Sequence, residues 1–242
     1  MQTLWYQHKK SEEFNASFLF MNLGREGGKL AKSEVKNLQT FGANLSLQPG
    51  SWQFYGTFYF QTGKAAGDKD VAASMWSLNA SYVVNPTLKI TIASDWLSGN
   101  DGKDTKYKAF DVLYGTHHKF YGTMDYFYAS PFISGLTPGL WDNQLAFSLK
   151  TSSKITLALN YHHFRTTTDV YSGGGELSRA LGSEMDFQLT WNVMKDVTLL
   201  GGYSRMFGND TMKAVKGGDP SRRQDWAWVS LNINPKIFFA KW

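Results

Sequence analysis

The sequence predicts an all-β fold, an antiparallel transmembrane β-barrel, on three observations. Apolar and polar residues alternate with period two in short segments from one end of the chain to the other. The connections between those segments alternate between tight turns and long polar loops. Bulky aromatics mark the ends of the apolar faces, where a membrane-crossing strand meets the headgroups.

The elements follow in order. Residues 1–7 read as the tail of a strand, and 14–21 as the next. Over 40–48, Phe41, Ala43, Leu45 and Leu47 fall on one face, with Thr40, Asn44, Ser46 and Gln48 on the other. Over 52–61, Trp52, Phe54, Phe58 and Phe60 oppose Gln53, Tyr55, Thr57, Tyr59 and Gln61. The pattern recurs over 75–83, 88–96, 144–150, 155–164, 185–192, 197–206 and 226–233. That makes about eleven strands, each near the ~9–11 residues that cross a bilayer at a tilt. Tight turns are expected at 48–51, 85–87, 151–154 and 194–196, and long loops at 22–38, 62–71, 97–143, 166–182 and 207–224. Trp52, Trp76, Tyr82, Trp96, Tyr161, Trp191 and Tyr203 are the expected girdle. The competing reading is a soluble β-sandwich, whose strands alternate too, but which has no reason for turns on one side and loops on the other.

Composition fits. Aromatics make up 16% of 242 residues, and there are no cysteines, which excludes disulfides and thiolate metal sites. The mean hydropathy is −0.36, and no apolar run approaches the ~18 residues of a membrane helix. A membrane strand escapes that average because only alternate residues face lipid. The charge of +5 is spread out, with Lys9-Lys10 the longest basic cluster, so no nucleic-acid partner is expected. The opening residues MQTLWYQHKK carry no export signal. With an odd strand count, which cannot close antiparallel, this suggests the C-terminal portion of one barrel domain spanning 1–242, lacking N-terminal strands.

The longest loop carries a more specific pattern. Asp95-Trp96-Leu97-Ser98-Gly99-Asn100 is followed by Phe110-Asp111-Val112-Leu113-Tyr114, then by His118-Lys119-Phe120-Tyr121-Gly122 and Met124-Asp125. This run resembles the alginate-export family of outer-membrane porins. The resemblance implies a barrel of about eighteen strands, and export of a polyanionic uronate polymer through a basic lumen. Here the strand charges assigned to the lumen by parity are mixed: Lys89, Asp95, Asp142, Lys150, Glu184 and Asp186. Basic residues are denser in the loop, at Lys103, Lys106, Lys108, His117, His118 and Lys119. Loop 97–143 is the expected constriction, with Asp111, His117, His118 and Lys119 joining the six wall charges as pore-lining residues. Lys119 either presents charge to an anionic solute or pairs structurally with Asp111.

Other clusters point elsewhere. Asn100, Asp101 and Asp104 start like a calcium loop, without the downstream glutamate it needs. By parity His163 faces lipid and His162 faces the lumen; both read as interfacial polar residues, since no serine is placed convincingly for lipid-face hydrolysis. Arg165, Arg205, Arg222 and Arg223 sit at outer strand ends, suited to lipopolysaccharide phosphates, to gathering anions or simply to rim solubility. Gly173-Gly174-Gly175 lacks the helix and Lys of a phosphate cradle. The expected function is a porin-like channel for a polar or anionic solute, with outer-membrane lipid and lipopolysaccharide as surroundings, no covalent chemistry and no cofactor. The alternatives are a non-conducting structural or ligand-binding barrel, and a barrel enzyme.

Overall fold

The computed structural model describes residues 1–27, 34–65, 68–128, 132–235 and 238. The chain folds as β1 (Gln2–Lys9), β2 (Phe14–Gly27), β3 (Glu34–Leu47), β4 (Trp52–Lys64), β5 (Asp70–Asn85), β6 (Leu88–Leu97), β7 (Leu140–Lys150), β8 (Ile155–Arg165), β9 (Val170–Ser172), β10 (Gly175–Leu177), β11 (Ala180–Met194), β12 (Val197–Gly208), helix α1 (Asp210–Lys216) and β13 (Gln224–Ile233). Among the described residues, eleven strands form one sheet in the order β1-β2-β3-β4-β5-β6-β7-β8-β11-β12-β13, every pair antiparallel. β1 and β13 are its edges. β9 and β10 form a separate hairpin inside the loop between β8 and β11.

The eleven sheet strands are those the periodicity marks, but several are longer than it shows. β2 and β3 have 14 residues each and β5 has 16. The extra residues extend toward the long-loop side, where Arg25 pairs with Lys36 and Lys64 with Asp70. Polar residues stand on both faces there, so alternation vanishes while the backbone ladder continues. The segments expected as loops at 22–38 and 62–71 are therefore mostly strand, and 28–33 and 66–67 lie outside the described residues.

Cross-strand partners share a face, and the register sorts side chains cleanly. Leu78, Ala80, Tyr82, Ile90, Ile92, Leu145, Phe147, Leu159 and Phe187 point one way. Asn79, Ser81, Thr91, Asp95, Asp142, Gln144, Asn160 and His162 point the other. The burial is inverted relative to a water-soluble protein. Ile92 is 65% exposed, Val229 77% and Phe58 52%, while Asp142 and Glu184 are 0% exposed. Soluble monomers rarely expose an apolar patch beyond a few hundred Å², whereas here the apolar face runs unbroken across eleven strands.

The tight turns carry local reasons for their shape. Asn85 accepts hydrogen bonds from the backbone N–H of Thr87 and Leu88, both at 2.9 Å, closing the turn into β6. Asp196 takes a left-handed φ of 61° in the turn from β11 to β12. On the opposite side, loops and α1 fold over the polar face. Leu97, Tyr121, Leu140, Phe164, Val170, Leu181, Met206, Met212 and Val215 make an apolar cluster there, joined by Phe127 and Phe132. Helix α1 falls in a segment expected to be a loop. Asn209 caps it, accepting from the Met212 N–H at 3.0 Å, and Thr211, Met212 and Val215 are buried.

Candidate channel constriction

The segment 98–139 leaves β6 and returns to β7 along the polar face of the sheet. Its backbone is gripped in two separated regions. On β4 and β5, the Tyr107 N–H donates to the Asp70 carbonyl at 2.7 Å and the Tyr107 carbonyl accepts from the Ala72 N–H at 2.9 Å, while Gln61 donates to the Asp111 carbonyl at 2.9 Å and accepts from the Asp111 N–H at 2.8 Å. Gln61 is buried, and by register it points inward on the polar face. The Asp111 carboxylate pairs with Arg25 of β2 at 2.7 Å. The structural partner of Asp111 is thus Arg25, and the Lys119–Asp111 pair weighed from the sequence does not form.

The second grip lies on β11 and β12. Thr123 Oγ1 donates to Asp186 at 2.6 Å and shares a hydrogen bond with the Ser204 hydroxyl at 2.6 Å. The Thr123 N–H reaches Asp186 at 3.4 Å, and the Met124 N–H donates to Glu184 at 2.9 Å. Gly122 makes this approach possible. Its φ is +85°, and a Cβ there would meet the Glu184 carboxylate at 2.6 Å. The neighbouring Tyr121 is buried, and burial together with Asp95 and Asp142 pushes its phenol well above the ordinary range.

The inward-pointing acids therefore divide. Asp142, Glu184 and Asp186 point inward as parity predicts, but the loop covers them. His162 bridges two of them, with Nδ1 2.9 Å from Asp142 and Nε2 3.4 Å from Asp186. Gln144 extends the network, donating to Asp142 at 2.8 Å and to Asp95 at 3.0 Å. His162 is thus a buried network residue, contrary to the interfacial role expected for it. His163 does face outward, 3.2 Å from the Ser183 hydroxyl.

His117 and His118 organise the loop tip. His117 lies 3.0 Å from Asp125, and the His118 N–H donates to Asp125 at 2.8 Å. The His118 ring stacks on Trp226 of β13 at 4.6 Å. Lys119 is exposed beside them. Two cavities adjoin it, of about 540 and 250 Å³. The larger is walled by Asn44, Thr57, Tyr59, Ser77, Asn79, Asp95 and Gln144. The smaller brings Lys119 together with Lys89, among Thr91, Asn160 and Asp186. Neither lysine forms an ion pair among the described residues. Lys150 stands apart, exposed at the turn end of β7.

The calcium-like stretch is a turn whose first residue, Asn100, donates its N–H to the Thr137 carbonyl at 2.6 Å. Asp101 accepts from the Lys103 N–H at 3.0 Å, and Asp104 pairs with Lys108 at 2.6 Å. No group of three acidic or histidine ligands meets there among the described residues. Gly173 and Gly174 turn the β9–β10 hairpin with positive φ. Residues that the sequence did not single out include Arg25, Thr123, Ser204 and Trp226. The position of Gln61, inward by parity at the level where a loop enters, was the available hint.

No family model matches the chain, and no curated protein matches it. Solved structures do. The chain is similar to the outer membrane channel DcaP of Acinetobacter baumannii, with TM-score 0.56 and 10% identity over 93% of this chain and 62% of that one. It is similar to Salmonella typhi OmpF in a complex with daunomycin, with TM-score 0.56 and 11% identity over 95% and 61%. Pseudomonas aeruginosa OccK5 matches with TM-score 0.52 and 11% identity over 95% and 57%. This chain thus spans 57–62% of the length of these three proteins. At such identities the likeness shows the fold, an antiparallel transmembrane β-barrel wall of the outer-membrane porin type.

Proposed function

We propose that this chain forms wall and constriction of an outer-membrane channel through which a polar solute diffuses, with loop 98–139 setting the aperture. The observation that carries this reading is the inverted burial: apolar side chains face outward, and hydrophilic side chains of the inward face open onto cavities beside an inward-folded loop. Nothing in the reading requires a covalent step. Selectivity comes from pore width and from the charges left open to the lumen.

Asp95 lines the larger cavity, but the charges left open at the smaller one favour an anionic group. The acids Asp142, Glu184 and Asp186 are engaged in holding the loop, whereas Lys89 and Lys119 face a shared cavity with no carboxylate paired to either. The motif resemblance would make the solute a polyuronate. The unpaired lysines support an anion in general, without a preference for that polymer. Ion selectivity in planar bilayers tests this. The Lys89→Gln/Lys119→Gln double variant is expected to shift the reversal potential toward cations with conductance retained. An unchanged reversal potential contradicts the anion preference, and absence of conductance in the wild type contradicts the channel.

A second reading has one observation in its favour. The apolar cluster around Phe127, Phe164 and Val215 fills the space above β6 to β12. If the remaining aperture is closed as well, the barrel is a non-conducting scaffold or binding protein, and the same bilayer experiment separates the two.

A further inference from the structure

The outward face of β11, β12 and β13 carries a feature that a uniform greasy wall would not need. Gly201 lies opposite Leu189 on one side and Val229 on the other, and Tyr203 lies between Phe187 and Ala227. The small residues Gly201 and Ala227 leave a shallow groove of about 470 Å³ between Phe187, Leu189, Tyr203 and Val229. The groove is open at its floor: a Cβ on Gly201 would have only the Trp228 carbonyl near it, at 3.8 Å. It runs along the strands toward the long-loop rim.

Directly above it on the same face stand two guanidinium groups. Arg205 is two residues beyond Tyr203 and faces Asp225 across the ladder, with Nε 3.7 Å from the carboxylate. Arg223 donates to the same carboxylate and reaches the Tyr203 hydroxyl at 3.2 Å. Both arginines remain substantially exposed. Two cations share one acid, so the cluster keeps a net positive charge and guanidinium N–H groups that Asp225 and Tyr203 do not use. Guanidinium forks match phosphate oxygens in geometry and charge.

We propose that this is a binding site for a phosphorylated, acylated lipid of the outer leaflet, with an acyl chain in the Gly201–Ala227 groove and a phosphate against Arg205 and Arg223. Charge complementarity selects the headgroup, and the groove selects a lipid over a free ion. The site rests on the outward face lying in lipid. It does not depend on whether the lumen conducts.

The test uses the full-length protein reconstituted in phosphatidylcholine vesicles, with and without a minor fraction of lipid A, reading the midpoint of thermal unfolding. Lipid A is expected to raise the wild-type midpoint by mass action. Dephosphorylated lipid A and inorganic phosphate are each expected to leave it unchanged. The shift is lost in Arg205→Gln/Arg223→Gln and reduced in Gly201→Leu, which fills the groove from an unobstructed outward position. The proposal is overturned if dephosphorylated lipid A stabilises equally, if inorganic phosphate reproduces the shift, or if the variants respond like the wild type. The wild-type comparisons decide the matter even if a variant does not fold. Wild-type protein that fails to float with the vesicles overturns the membrane reading itself, an outcome distinct from floating without a lipid A effect.

Discussion

Thr123 shows how much of the loop's attachment to the inward face rests on single side chains. Its hydroxyl joins Asp186 and Ser204, two buried groups on adjacent strands. Thr123→Val keeps the shape and removes the hydroxyl, leaving Asp186 short of a donor, at a cost of about 1–3 kcal/mol. The expected outcome is a lower unfolding midpoint and faster proteolysis within loop 98–139, with the strand ladder intact. An unaltered proteolysis rate would mean that the loop is held elsewhere. At this scale the sequence was only half legible. Parity put Asp142, Glu184 and Asp186 inward, because alternation is a local property. Their partners were out of reach, because Thr123 and Met124 lie some sixty residues away along the chain and meet them only when the loop folds in. The same holds for His162, whose neighbours Asp142 and Asp186 belong to flanking strands.

At the scale of elements, strands were easier to read than the structures between them. A half-lipid, half-water strand writes its register into every second residue, and β4, β8 and β12 do so plainly. The extensions of β2 to β5 beyond the membrane carry no such code. Helix α1 and the β9–β10 hairpin are short pieces stabilised by tertiary contacts, so propensity alone leaves them as loops. α1 docks by burying Met212 and Val215 and by laying the Lys216 ammonium 4.5 Å from the Phe132 ring centroid. Burial lowers the Lys216 pKa to about 8, against an ordinary 10.5. In the interval between these values the unfolded chain holds more protons than the folded one, so stability contributed at this site rises with pH. Lys216→Met cannot titrate, so the stability of wild type relative to this variant is expected to rise as pH climbs from about 8 toward 10.5. Paired thermal melts across that range check it, and a constant difference would contradict the shift.

The whole molecule is governed by one inversion. Hydrocarbon replaces water as the solvent of the outward face, so exposure no longer penalises Ile92, Phe58 or Val229, and every backbone polar group in the wall must be paired in the ladder. The inward face can then be built from Asn, Gln, Ser and Thr, and the loop that enters it is held both by hydrogen bonds to that face and by the apolar cluster it joins. That architecture was legible because periodicity, turn length and aromatic placement all report the same solvent boundary. The solute was not, because selectivity depends on which inward charges remain open after the loop has folded. The lack of cysteine makes the inversion directly measurable. Single cysteines placed in turn at positions 90 to 92 of β6, in vesicle-reconstituted protein, can be probed with a membrane-impermeant thiol reagent and with a lipid-borne quencher. Ile90→Cys and Ile92→Cys are predicted to be quenched by lipid and spared by the aqueous reagent, and Thr91→Cys the reverse; uniform aqueous labelling of all three, or the opposite alternation, would contradict the account.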